Sequence, residues 1–419
     1  MTSTPRRPDI DEMDGMVGKA IAELLSRAHL LRPGAVADTL VEYARPFGVQ
    51  GATIYLADLG RQYLRAIPGA DGSPLPELPI DSTLAGRAFR TIEIQYGAPD
   101  PVGRHHIWLP LMDGTERLGV LELVVGDVSE AMIGRCRALA SFAGLVVVSK
   151  SAYSDAHAQV RRTQPMALQA EMVWAFMAPP TFATDDVIIA AAIEPVYGVG
   201  GDAYDYALLG DNLHVAVFDA VGHDLPAGLI ASVAMASCRN TRRAGGDLPE
   251  LVARADHAIA GQFGGSRFAT ALLCDLDVTT GRFRWIACGH PPPLLIRDNK
   301  VIKELFRRPR LPLGLPEDRH DLDLAAPPPV HTEHLQPGDR LLLYTDGVVE
   351  GRAADGTQFG VRRLGDFVIR HSAAGMPASE TLRRLNRAIL DFQHGRLADD
   401  ATTVLVEWRP DDPQRQYGF

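Results

Sequence analysis

From residue 186 onward the chain sets down six apolar runs of strand length: VIIAAAIEP, HVAVFDAVGH, ATALLCDLD, FRWIACGH, DRLLLYTDG and ATTVLVEW. Helix-length stretches lie at about 226–241, 248–263 and 377–393, and they come in groups rather than after every strand. A doubly wound sheet needs a helix after nearly every strand, so this order predicts an α+β fold with sheets flanked by helices.

The first part of the chain has a different rhythm. After a polar start that reads as disordered over fifteen residues, Met16, Ala20, Leu24 and Leu31 recur at helical spacing, and a second helical stretch follows at 34–46. Strand-type runs then appear at TIYLAD, YLRAI, IWLPLM and LGVLELVV, and a helix from about Ser129 closes the unit near residue 150. Between 150 and 180 the composition turns helical again, in two pieces. Pro165 suits the first turn of the second piece, and Pro179-Pro180 ends it. The expected organisation is therefore an α+β module at 16–150, a helical linker at 151–180 and a larger domain at 181–410. Met172 and Phe176 on the linker could pack on a second copy of the chain, giving a homodimer.

Charge and cysteines limit the function classes. The chain carries 42 basic and 52 acidic residues, a formal charge of −10, and residues 186–419 account for −6 of it (25 basic against 31 acidic). With no long block of like charge, a nucleic-acid surface or an anionic membrane surface is not expected. Cys136, Cys238, Cys274 and Cys288 form neither a C-x-x-C pair nor a zinc-type cluster, so they read as buried reduced thiols of a cytoplasmic protein. The start lacks the apolar stretch of a signal peptide, and the longest apolar run, FAGLVVV at 142–148, is short for a membrane span.

Four acidic spots share one local pattern, in which an Asp ends an apolar run or sits in a Gly turn: GGD at Asp202, FDAVGH at Asp219, YTDG at Asp346 and ADDAT at Asp399 and Asp400. A single such Asp is usually a turn residue or a helix cap. If the strand ends converge, the product is a hard, all-oxygen site. Two carboxylates about 4 Å apart repel by about 4 kcal/mol at an effective dielectric of 20, so such a cluster needs divalent cations, and oxygen donors select Mg²⁺ or Mn²⁺ over zinc. Two such ions would orient a phosphate and activate water for attack on it.

The blocks EPVYGVGGDAYDYALLGDNLHVAVFDAVGHDLPAG, FATALLCDLDVTTGRFRWIACGHPPPLLIR, LPLGL, LQPGDRLLLYTDGVVEGRAADGTQFGVRRL and DDATTVLVEW resemble, in order, the SpoIIE-like branch of the PPM metal-dependent serine/threonine phosphatases. The resemblance spans about 165–410. It implies an αββα sandwich that holds two Mn²⁺ or Mg²⁺ ions and hydrolyses phosphoserine or phosphothreonine without a phosphoenzyme. On that pattern Asp219 bridges both ions, with the Ala220 carbonyl as a further ligand. Asp346 and Asp399 complete the core, and Asp202 supports the first ion. Asp400 is the weaker match of its pair. Asp219 and Asp346 are the residues on which catalysis would depend, while Gly200, Gly201, Gly222, His223 and Gly347 shape the site. The family usually reads G-H-G after the bridging Asp, whereas this chain has Gly222-His223-Asp224. That departure keeps open a second reading, a catalytically weak or inactive docking module. His223 and His290 are expected to make structural hydrogen bonds rather than to act as general acids.

Residues 16–150 resemble a GAF sensor domain, notably in IDSTLAGRAFRTIEIQY and IWLPLMDGTERLGVLELVV, with an unreadable ligand. His105 and His106 there are expected in a surface turn. The two resemblances together imply a sensor-regulated phosphatase. Its substrate would be a phosphorylated STAS-type anti-sigma-factor antagonist in a partner-switching pathway.

Overall fold

A computed structural model of the chain describes residues 10–69, 75–315 and 328–410. Most of the first fifteen residues, expected to be disordered, lie outside that range. The helix nevertheless begins at Ile10 rather than near Met16. The chain divides into two compact units between Thr163 and Gln164.

The first unit runs α1 (Ile10–Ala28), α2 (Val36–Ala44), β1 (Val49–Ala57), β2 (Tyr63–Ala66), β3 (Leu78–Pro79), α3 (Leu84–Thr91), β4 (Gln95–Tyr96), β5 (His105–Asp113), β6 (Glu116–Val125), α4 (Glu130–Ser151) and α5 (Asp155–Arg161). Its six strands form one antiparallel sheet in the order β3-β2-β1-β6-β5-β4. Alternation along β5 sends Ile107, Leu109 and Leu111 into a core shared with α1, α2 and α4, and α3 covers the opposite face with Phe89. Ser129 caps α4 by accepting from the Met132 N–H. That helix is longer than the FAGLVVV run. It is apolar and long enough to cross a membrane (mean hydropathy 1.6), yet 61% of its apolar window is buried within the protein. His105 and His106 lie in β5 and not in a turn, and His106 Nδ1 stands 2.8 Å from Glu122 Oε1 on β6.

The second unit runs α6 (Leu168–Phe176), β7 (Thr181–Ala183), β8 (Val187–Glu194), β9 (Asp202–Leu209), β10 (Asn212–Ala220), α7 (Leu225–Arg243), α8 (Leu248–Phe263), β11 (Ala269–Asp277), β12 (Arg282–Cys288), β13 (Leu294–Arg297), β14 (Lys300–Glu304), β15 (His331–His334), β16 (Arg340–Tyr344), α9 (Asp346–Glu350), α10 (Gly360–Ala373), α11 (Ala378–Phe392) and β17 (Ala401–Trp408). Two sheets form, β15-β12-β11-β10-β9 and β14-β13-β16-β17-β8-β7. Three apolar layers stack through them: one between α7/α8 and the first sheet, one between the sheets, and one between the second sheet and α10/α11. Each sheet is thus covered on both faces, which is why β10 and β17 read as nearly continuous apolar runs rather than as alternating ones. The result is the expected αββα sandwich.

Of the two helical pieces expected between 150 and 180, α5 packs in the first unit and α6 in the second. Helix α6 starts at Leu168, so Pro165 precedes it instead of occupying its first turn. All four cysteines are free and buried, and burial pushes their thiols well above the ordinary range.

Candidate metal and phosphoester site

Both sheets deliver strand ends to the same place. Asp219 and Ala220 close β10, and Asp219 pairs across the ladder with Asp202, which opens β9. From the other sheet, Thr345 and Asp346 follow β16, while Asp399 and Asp400 immediately precede β17. Hydrogen bonds stitch the two sheets together here. Asp400 Oδ2 accepts from the backbone N–H groups of Gly200 and Gly201, each at 2.8 Å, and of Asp202 at 3.3 Å. Thr345 Oγ1 donates to Asp202 Oδ2 at 2.7 Å and accepts from the Thr402 N–H at 2.9 Å.

This geometry separates the two members of the DD pair. One oxygen of Asp400 is spent on three backbone donors inside the fold, whereas Asp399 is exposed and accepts only from its neighbour's N–H among the described contacts. Asp399 is the one left available to a ligand.

The glycines are required by close approach. A Cβ at Gly201 would lie 2.2 Å from the Ala220 carbonyl oxygen, one at Gly200 2.5 Å from the His223 backbone, and one at Gly347 2.0 Å from the Asp400 carbonyl oxygen. Those contacts are all to backbone, which cannot swing aside. Gly222 serves differently, with φ +91 in the turn after β10.

Charge is crowded at this end. Burial first, then the neighbouring Asp346, Asp399 and Asp400, push the Asp219 carboxyl up to about 7. Burial, Asp219 and Asp400 hold Asp202 well above the usual carboxylate range, and burial with Asp399 and Glu350 raises Asp346. Asp400 is raised by burial although its three backbone donors pull the other way. Among the described residues no three His, Cys, Asp or Glu side chains close to metal-ligating spacing. The aspartates stand within mutual electrostatic reach rather than in contact. An all-carboxylate set with this mutual repulsion, flanked by a backbone carbonyl, fits a hard divalent cation and no soft one.

Around the core the other flagged residues take distinct places. His223 is exposed and contributes its backbone: its carbonyl accepts from Gln169 Nε2 of α6 at 3.3 Å. Asp224 caps α7 by accepting from the Ala227 N–H, and its carboxylate is gripped at both oxygens by Arg267 at 3.1 and 2.9 Å. That guanidinium holds Asp224 below the usual carboxylate range. His290 is buried beside Thr270, and burial pushes its ring down to about 3. Sequence reasoning passed over Thr345, Thr402, Arg267 and Thr270. Thr345 and Thr402 adjoin the flagged aspartates in YTDG and DDATT, so their position was a usable signal. Arg267 carried none.

Residues 210–409 match the family model described as Stage II sporulation protein E (SpoIIE). Among curated proteins, the chain is 22% identical over 219 residues to the phosphoserine phosphatase RsbU of Bacillus subtilis, covering 52% of this chain and 62% of RsbU. It is 25% identical over 161 residues to the phosphoserine phosphatase RsbP of the same organism, covering 37% and 38% respectively. The match thus spans less than two thirds of these relatives' lengths. Among solved structures, the RsbU and RsbW domains of Rv1364c from Mycobacterium tuberculosis share 26% identity, with 54% of this chain and 62% of that one covered at a TM-score of 0.45. The stretch similar to the SpoIIE family, residues 210–409, holds every candidate aspartate except Asp202.

Proposed function

We propose that the second unit hydrolyses phosphoserine or phosphothreonine on a protein, using two Mn²⁺ or Mg²⁺ ions. The observation that carries this reading is the convergence of Asp202, Asp219, Asp346 and Asp399 from two sheets onto one end of the sandwich, where their mutual repulsion calls for cations. Asp219, the Ala220 carbonyl, Asp346 and Asp399 would hold the ions, with Asp202 in support. When bound, such ions neutralise the cluster, polarise a phosphate ester and lower the pKa of water. The chain's own part is placement. Asp400 holds the Gly200-Gly201 turn against β10, and Thr345 fixes Asp202, so the ligands are held in place before any ion arrives. Asp224 does not impair this arrangement, because Arg267 neutralises it and it serves α7 as a cap. These contacts give Asp224 a structural role and support the active reading over an inactive docking module.

The first unit is proposed as the GAF-like sensor and α6 as the element that relays its state. Supporting this, α6 meets the active-site turn through Gln169 and His223, bonds Trp174 Nε1 to the Val196 carbonyl at 2.9 Å, and offers the Phe176 carbonyl to Arg239, which also pairs with buried Asp205 of β9. Of the two residues expected at an interface between copies, Phe176 is exposed on α6 and Met172 is half-buried. The substrate is proposed to be a phosphorylated STAS-type anti-sigma-factor antagonist, and the protein is proposed to work in the cytoplasm. Phosphate release from phosphorylated STAS proteins of the same genome, with Mn²⁺ or Mg²⁺, tests the pathway. Release from a phosphoserine peptide but from none of those proteins would keep the chemistry and remove the substrate assignment.

A further inference from the structure

Thr270 and His290 stand behind Asp219 with no role in the reading above. Thr270 is the cross-strand partner of Asp219, and its Oγ1 lies 3.5 Å from Asp219 Oδ2 and 2.8 Å from His290 Nδ1. His290 reaches this place because the chain leaving β12 turns at Gly289 (φ +67), where it bridges to Ala271. A Cβ at Gly289 would meet Pro312 at 2.6 Å. The imidazole is 5% exposed, and its Nε2 makes no hydrogen bond.

A count of protons decides what this chain of contacts can do. The hydroxyl has one proton and a neutral imidazole has one. If Thr270 donates to Asp219, the 2.8 Å contact must be filled by a proton on His290 Nδ1, and Nε2 keeps a bare lone pair. In the opposite arrangement the ring proton sits on Nε2, near the Tyr344 carbonyl that favours a proton on this ring. Thr270 then donates to Nδ1 and turns its lone pairs toward an ionised carboxylate. The first arrangement gives the buried charge a donor and leaves only an acceptor unpaired. The second sets oxygen against oxygen and takes the donor from an ionised carboxylate, a larger loss than a neutral N–H contact to the Tyr344 carbonyl returns.

We propose that His290, as its Nδ1–H tautomer, is a positioning residue that orients the Asp219 carboxylate through Thr270 and thereby sets the site's affinity for a divalent cation. The inference rests on the metal-centre reading above. It does not make His290 a catalytic residue, since the ring touches no reacting group.

Mn²⁺ titration calorimetry on the full chain tests it, because the readout is binding and not turnover. Asparagine at 290 places an N–H where Nδ1 was, whereas glutamine places one where Nε2 was. His290→Asn and Thr270→Ser should bind within about threefold of the wild type. His290→Gln and Thr270→Val should bind about 10- to 100-fold more weakly, the usual cost of losing an outer partner of a metal ligand. Equal affinity in all five proteins, or retention in His290→Gln with loss in His290→Asn, overturns the proposal. Should the histidine variants fail to fold, the Thr270 pair decides alone, and equal binding by Ser and Val refutes it. A wild type that binds no Mn²⁺ would remove the metal centre as well, a distinguishable failure.

Discussion

Replacing Asp219 by asparagine should stabilise the metal-free protein while destroying its activity. The neutral amide keeps the shape and the Thr270 contact but no longer repels Asp346, Asp399 and Asp400. Ionising a carboxyl that burial and neighbours have raised to about 7, from the ordinary value near 4, costs the folded state about 4 kcal/mol at 1.36 kcal/mol per tenfold. The sign follows from the raised value. The stability tied to this group is full below about pH 4, falls as pH rises, and is gone above about 7. The advantage of asparagine in EDTA should therefore be about 4 kcal/mol at pH 8 and about 1.6 kcal/mol at pH 5. For a domain of this size, the pH 8 figure corresponds to roughly 8–16 °C in Tm. With saturating Mn²⁺ the order should reverse, because only the wild type gains binding energy in the folded state. Thermal unfolding at the two pH values, with EDTA and with Mn²⁺, reads all four conditions. An asparagine variant less stable than the wild type in EDTA at pH 8, or a difference independent of pH, would refute the argument that burial and the neighbouring carboxylates disfavour the Asp219 charge in the empty site.

Three further outcomes are expected. Asp224→Ala should lower the urea midpoint through loss of the α7 cap and the Arg267 pair, yet leave Mn²⁺ affinity within a few-fold; a large loss of metal binding would place Asp224 in the centre instead. Gly201→Ala, whose Cβ would stand 2.2 Å from the Ala220 carbonyl oxygen, should cut phosphatase activity at least tenfold, and unchanged activity would show that the turn can shift freely. Phe176→Glu on α6 should weaken self-association in analytical ultracentrifugation, and a wild type that stays monomeric at high concentration would exclude the dimer.

What the sequence revealed depended on whether its signal was local. Strands β8, β10, β11, β16 and β17 announced themselves because burial on both faces makes them apolar without interruption. Strand β9, DAYDYALL, is interrupted by Asp202 and Asp205, which breaks the apolar run that marks its neighbours. Helix α10 stayed hidden because Gly365 and several charges dilute its apolar face, which buries only Leu364, Gly365 and Val368. The two-residue strands β3 and β4 are too short for any pattern. At the site, Asp219, Asp346 and the DD pair were legible from strand ends and Gly turns. The division of labour between Asp399 and Asp400 was not, since it is decided by backbone donors some 200 residues away in sequence. The Arg267 grip on Asp224 and the Thr270–His290 contact are likewise long-range pairings that no spacing encodes.

The most direct test of the central claim is phosphate release from a phosphoserine peptide by the purified chain. It should be measured with Mn²⁺ and after EDTA, for the wild type and for Asp219→Ala and Asp346→Ala. The account predicts Mn²⁺-dependent release by the wild type alone, with both variants reduced at least a hundredfold although folded. Equal release by wild type and variants, or release that survives EDTA, would contradict it.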